Sequence, residues 1–275
     1  MAHLTTVVVS LLVTFSFAAQ PDNPDPLRGP DVPDHATHSL VSKTMTGRFE
    51  PLRVRPEAAA LQELDLDEAS RAKAREIVDQ RGADIAMALV DHIDDVKEMT
   101  DMITAGQQDR ARERLGEMWG EIDEGTPRDP LAKPLEGVLD AEQRGQLKRL
   151  VDEYWEAWID WELRKNDKAR GDPAARERVE HRLAFGLFER EVREAYNYSL
   201  KRYKDALDGV YDAVQPTDEQ RAEIREIVLE HIRATRLSAT PEQRRETNMK
   251  IYRLLDDERK EKLFAYMTRI VIPDG

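Results

Sequence analysis

Cysteine is absent from the chain, which excludes a disulfide framework, thiolate metal sites and a thiol nucleophile. Aromatic residues make up only 6% of the chain while 35% are charged, so apolar stripes are slim and solvated helical faces many. A glycine-rich phosphate loop, a Gly-x-Ser-x-Gly turn and a His-Glu-x-x-His pair are all missing, and with them the usual motif-level grounds for catalysis. Carboxylates are plentiful, yet none is set apart in an apolar stretch that would shift its pKa. The sequence therefore predicts a protein that is not an enzyme and needs no cofactor. No helical segment is predominantly basic, and the net charge is -13 with a pI near 5.1, which argues against nucleic acid as a partner. Acids and bases balance over residues 1–55. The negative excess thus belongs to the body from residue 56 onward, where it repels anionic membranes and favours cationic clients.

An uncharged, largely apolar run from Leu4 to Phe17, followed by the small residues Ala18 and Ala19, predicts a secretory signal over residues 1–19 and a secreted or periplasmic protein. The run is too short to span a bilayer. The leader Met1-Ala2-His3 carries no Lys or Arg, which leaves an uncleaved anchor as the alternative. Residues 20–56 read as a disordered, proline-rich tether, with Pro21, Pro24, Pro26, Pro30 and Pro33 close together.

Beyond the tether the hydrophobic spacing is helical to the end, and no strand pattern appears, so the fold class is all-α. Five helix starts are marked by an oxygen-bearing cap followed three residues later by Gln or a substitute: Asp67 with Ser70, Asp140 with Gln143, Thr217 with Gln220, Thr240 with Gln243, and Asp256 with Arg259. The cap oxygen accepts from an otherwise orphaned amide, and a Gln three residues on bonds back to the cap. Pro241 stands at a first helical position, where its missing donor costs nothing. From Asp172-Pro173 the apolar residues Phe188, Val192, Tyr196, Leu200, Tyr203, Leu207, Val210 and Val214 step by threes and fours. They predict one helix of about 42 residues, roughly 60 Å long at 1.5 Å per residue, which has to bend, pair in a hairpin or serve as a dimer arm.

The segment Arg71-Ala-Lys-Ala-Arg-Glu-Ile-Val78 recurs as Arg221-Ala-Glu-Ile-Arg-Glu-Ile-Val228, and Leu139-Asp-Ala-Glu-Gln143 is echoed by Leu255-Asp-Asp-Glu-Arg259. Each half thus carries an opening and a closing motif, as an internal duplication would leave them. The predicted organisation is a first helical unit over 57–171, then a long linking helix with a second unit over 172–275.

These motif regions, Leu64–Val78, Leu139–Gln143 and Lys250–Leu263, resemble those of the Spy/CpxP family, which is marked by Leu-Thr-x-x-Gln. Asp stands in place of Thr at 67, 140 and 256, Pro216 and Ala239 in place of Leu, and Ser70 and Arg259 in place of Gln. The resemblance implies a secreted protein of antiparallel helical hairpins. It also implies ATP-independent chaperone activity or envelope-stress signalling, with exposed segments of client proteins as partners, or cation sensing as in metal-linked relatives. With two copies in one chain, an intramolecular pseudo-dimer stands beside the family's homodimer. The family's basic cradle has no counterpart in so acidic a body.

Tyr154, Trp155, Trp158 and Trp161 crowd one predicted helix, and Trp119 lies in the helix before it. Such residues ordinarily pack a core; exposed, they would offer an aromatic strip to unfolded clients. His35 and His38 form a His-x-x-His pair on the tether, and His92 shares a helical face with Asp95 inside an acidic run. These four are the candidates for a divalent cation site in a metal-responsive sensor or accessory subunit, and a structural helical protein with no client is the remaining alternative. A solvated acidic face is the ordinary account of the run, and no Glu-x-x-His pair is present for a di-metal centre.

Overall fold

A computed structural model describes residues 39–122, 128–165 and 171–271. The segment expected to be a signal, the expected tether as far as residue 38, and His35 and His38 lie outside the described residues. Among those described, the chain is all-α: eleven helices and one two-stranded hairpin. The helices are α1 (Pro56–Ala60), α2 (Glu68–Asp91), α3 (Ile93–Thr104), α4 (Gln108–Ile122), α5 (Ala132–Leu135), α6 (Ala141–Arg164), α7 (Pro173–Ser199), α8 (Lys201–Val214), α9 (Asp218–Thr235), α10 (Pro241–Leu254) and α11 (Asp257–Val271). No described helix is long and apolar enough to cross a membrane.

All five predicted caps open helices. Asp67 accepts from the Ser70 amide at 2.7 Å and Asp256 from the Arg259 amide at 3.0 Å. Asp140, Thr217 and Thr240 form full capping boxes with Gln143, Gln220 and Gln243. The stops are as local. Gln215 closes α8 in the left-handed region at φ 49° and is followed by Pro216, which cannot extend a helix; Arg236 closes α9 at φ 45°.

Three readings of the sequence are corrected. Residues 39–56 are not a disordered tether: Ser42–Lys43 pairs antiparallel with Phe49–Glu50 around a turn at Gly47 (φ 76°), and Leu40 and Phe49 are buried. This segment has no helical period, and its anchors are contacts with residues far along the chain. The hairpin also corrects the expectation of no strand, its two-residue strands being too short to leave an alternating pattern. The long helix expected from 173 to 214 is two helices, α7 ending at Ser199 and α8 beginning at Lys201. The Ser199 hydroxyl donates to the Ala195 carbonyl at 2.6 Å, a back-bond that competes with the helical ladder.

The chain forms two compact units, His35–Ser199 and, among the described residues, Leu200–Val271. In the first, α7 packs against α2, α4 and α6, while α3 and α4 pack together across a turn at Gly106 (φ 77°). Segment 173–199, which the sequence assigns to a linking helix, thus belongs to the first unit's packing. Its core gathers Ile85, Leu89, Met118, Leu131, Leu135, Leu150, Tyr154, Trp155, Ile159, Leu187 and Phe188. In the second unit α9 packs on α10 and α8 on α11. There the core is aliphatic, with Val214, Ile224, Val228, Leu229, Ile232, Ile251, Leu255 and Leu263 buried.

Candidate functional site

Four of the five caps do more than start a helix. In the first unit Gln143 completes its own box and also donates through Nε2 to the carbonyl of Asp65 at 3.0 Å, two residues ahead of the Asp67 cap. In the second unit Gln220 donates through Nε2 to the carbonyl of Leu254 at 3.0 Å, two residues ahead of the Asp256 cap. The reciprocal bond is also present there: Arg259 Nε donates to the carbonyl of Gln215 at 3.2 Å, two residues ahead of the Thr217 cap. Each unit therefore ties two helix starts together in one register. Ser70 takes the fourth place in this scheme, with a side chain too short to reach across.

Burial follows the same register. The residue before each of these caps is buried (Leu66, Leu139, Pro216, Leu255), and so is the residue seven beyond it (Ala74, Leu147, Ile224, Leu263). The fifth motif differs. Around Thr240 neither Ala239 nor Thr247 is buried, and Gln243 serves its own box.

The five aromatic candidates lie in the first unit. Trp119, Tyr154, Trp155 and Trp158 are buried, Trp161 half-buried beneath Arg164 and Lys165. In this packing they build the core and offer no exposed strip. Trp119 lies against His181, Phe185 and Phe188. Trp155 stacks on Trp158 and donates its indole N–H to Asp129 Oδ1 at 3.1 Å.

What covers Tyr154 and Trp158 is the segment 39–54. Phe49 is tilted on the Tyr154 ring at 5.4 Å and stacked on Trp158 at 6.1 Å. Both backbone groups of Leu52 are held by side chains of the helices: its N–H donates to the Tyr154 hydroxyl at 2.9 Å, and its carbonyl accepts from Arg190 at 2.6 Å. The Ser39 hydroxyl donates to Glu153 at 2.8 Å. Burial pushes the Tyr154 phenol up to about 12, so it stays protonated. Of residues 39–54 only Leu40 and Phe49 are buried. The segment thus sits at the low-stability end of the fold.

An ionic cluster begins where this segment ends. Arg55 (5% exposed) donates to Glu191 at 2.8 Å and to the Arg128 carbonyl at 2.9 Å. Arg81 grips Glu191 with two bonds, at 2.7 and 2.8 Å. Glu57, 1% exposed, lies 3.5 Å from Arg55 Nε and accepts from the Leu131 amide at 3.5 Å. Burial raises its pKa, more than Arg55 lowers it, and Asp129 nearby adds to the rise. Burial likewise raises Asp129, against the opposing charge of Arg128 and the Trp155 hydrogen bond. Through Glu191 the cluster joins the start of α1 to α2 and α7, while Glu57 Oε2 is buried without a hydrogen bond.

His92 and Asp95 are brought together, Nδ1 to Oδ2 at 3.2 Å, with Glu121 3.3 Å from Nε2. The other Asp95 oxygen is taken by Arg114 at 2.6 Å, a bond that, with His92, holds the carboxyl below its usual range. Among the described residues no group of three or more His, Asp or Glu could hold a metal ion. Nothing in the local sequence points to Phe49, Leu52, Arg55, Glu57 or Arg190, whose roles rest on contacts up to 138 residues away.

In the second unit Met249, Tyr252 and Phe264 are exposed, Phe264 at 70%. Tyr203, Leu207, Val210 and Tyr211 on α8 are half-buried. Comparison with protein-family models, curated proteins and solved structures finds no match for the chain.

Proposed function

We propose that the chain is a secreted or periplasmic helical binding protein made of two units of the Spy/CpxP type, which holds exposed apolar segments of client proteins without ATP and without catalysing a reaction. The observation that carries this reading is the pairing of motifs: Gln143 to Asp65 in one unit, Gln220 to Leu254 and Arg259 to Gln215 in the other, each at the same offset from the opposing cap. A chance likeness between Arg- and Glu-rich helices would account for similar letters but not for shared registers of hydrogen bonding and burial. Exposed Met249, Tyr252 and Phe264 among charged neighbours supply apolar contacts rimmed by charge. In this reading one polypeptide carries the pair of units that the family assembles from two subunits, and it is monomeric.

Fluorescence anisotropy of a labelled, permanently unfolded protein tests the reading. Saturable binding in the micromolar range, unchanged by ATP, is expected; no binding at hundreds of micromolar would refute it.

A further inference from the structure

The trough on α6 and α7 that holds residues 39–52 is formed like a receptor for an extended peptide. One residue of the segment, Leu52, has its N–H and its carbonyl satisfied by Tyr154 and Arg190. Side chains that bond both main-chain groups hold a peptide whatever its sequence. One aromatic side chain, Phe49, packs against both Tyr154 and Trp158, which selects for a flat apolar group. The rest of the segment is exposed or half-buried apart from Leu40. Past it, Arg55 and Glu57 are buried and bound to α7 and to the chain before α5, so the latch lies at one end and residues 39–54 can leave without it.

We propose that this trough is an exchangeable peptide-binding site, that residues 39–54 are its resident occupant, and that an extended segment of another protein carrying an aromatic residue displaces them. The inference deepens the client-holding reading and rests on it for the identity of the partner. It also gives the buried aromatics Tyr154 and Trp158 a use: they meet clients only when the resident segment lifts. A cis occupant at high effective concentration keeps affinity low until a client competes, so the segment guards the aromatic face against non-specific association.

The test is anisotropy of a fluorescent peptide with the sequence of residues 39–54, added to full-length chains. Two variants weaken the resident segment without touching the trough, Phe49→Ala and Leu40→Ser. A third, Ser39→Cys with Glu153→Cys, tethers it through a short bismaleimide, the chain having no other cysteine. The peptide should bind at least one of the weakened variants tenfold or more tighter than the wild type and should not bind the tethered chain; a peptide carrying Phe49→Ala should not bind at all. Equal binding to wild type, weakened and tethered chains, or none to either weakened variant with helical circular dichroism intact, would overturn the proposal. If the peptide exchanges as expected while no chain binds an unfolded client, the trough stands and the client-holding reading falls.

Discussion

At the level of single residues, the Gln that closes each cap has two tasks where the motifs are paired and one where they are not. Gln143→Ala and Gln220→Ala each lose a box bond and a bond to the opposing helix start, and each is expected to cost about 1–2 kcal/mol in urea unfolding. Gln243→Ala loses only its box and should cost about 0.5–1 kcal/mol. Ser70→Gln would supply the one missing reach across and should gain up to about 1 kcal/mol. Glycines separate in the same way. Nothing lies near a Cβ placed on Gly145 in α6, so Gly145→Ala should stabilise by about 0.5–1 kcal/mol. A Cβ on Gly209 in α8 would run into the Tyr266 hydroxyl, so Gly209→Ala should show no such gain; thermal melts of the two variants check the contrast.

Glu57 makes a prediction in pH. Its folded-state pKa is raised by burial above the unfolded value. Its contribution to stability is thus fully present below the unfolded pKa and is lost as pH rises through the folded one. Glu57→Gln, a neutral mimic of the protonated acid, should melt higher than the wild type at pH 7, and the gap should close as pH falls toward 4. Asp95 is shifted the other way by Arg114, so its stabilisation is present at neutral pH and lost on acidification. Melting curves of Asp95→Asn, compared over the same range, should show its largest deficit at neutral pH.

At the level of elements, the sequence announces each capped helix because caps are local: one oxygen, one amide, three residues apart. The stops at Gln215-Pro216 and Gly106 are local in the same sense. The break at Leu200 is not announced in this way: the apolar spacing runs straight through it, and the Ser199 back-bond has counterparts at Thr100 and Thr247 inside unbroken helices. Residues 39–56 were illegible for a different reason. Their order comes from Tyr154, Arg190 and Glu153, none of which leaves a trace in the segment's own composition. The aromatic residues could be picked out by spacing, but whether they face core or solvent depends on a segment a hundred residues earlier. Likewise the pairing of His92 with Asp95 follows from helical spacing, whereas the arrival of Arg114 on the second oxygen does not.

At the level of the whole molecule, the first unit holds a large, aromatic core and the second a thin, aliphatic one, and both leave apolar side chains in solvent, Met45, Val54, Ile103 and Tyr198 in the first and Met249, Tyr252 and Phe264 in the second. The same paired-cap arrangement supports both, so what differs is the make-up of the core that each unit builds. Paired caps, with apolar side chains exposed among charges, are the basis of the proposal that the chain holds other proteins. The most direct measurement is light scattering from a reduced, aggregating client with the chain present and ATP absent. Suppression at equimolar chain or below is the predicted result; scattering that is unchanged at several-fold excess would contradict the account.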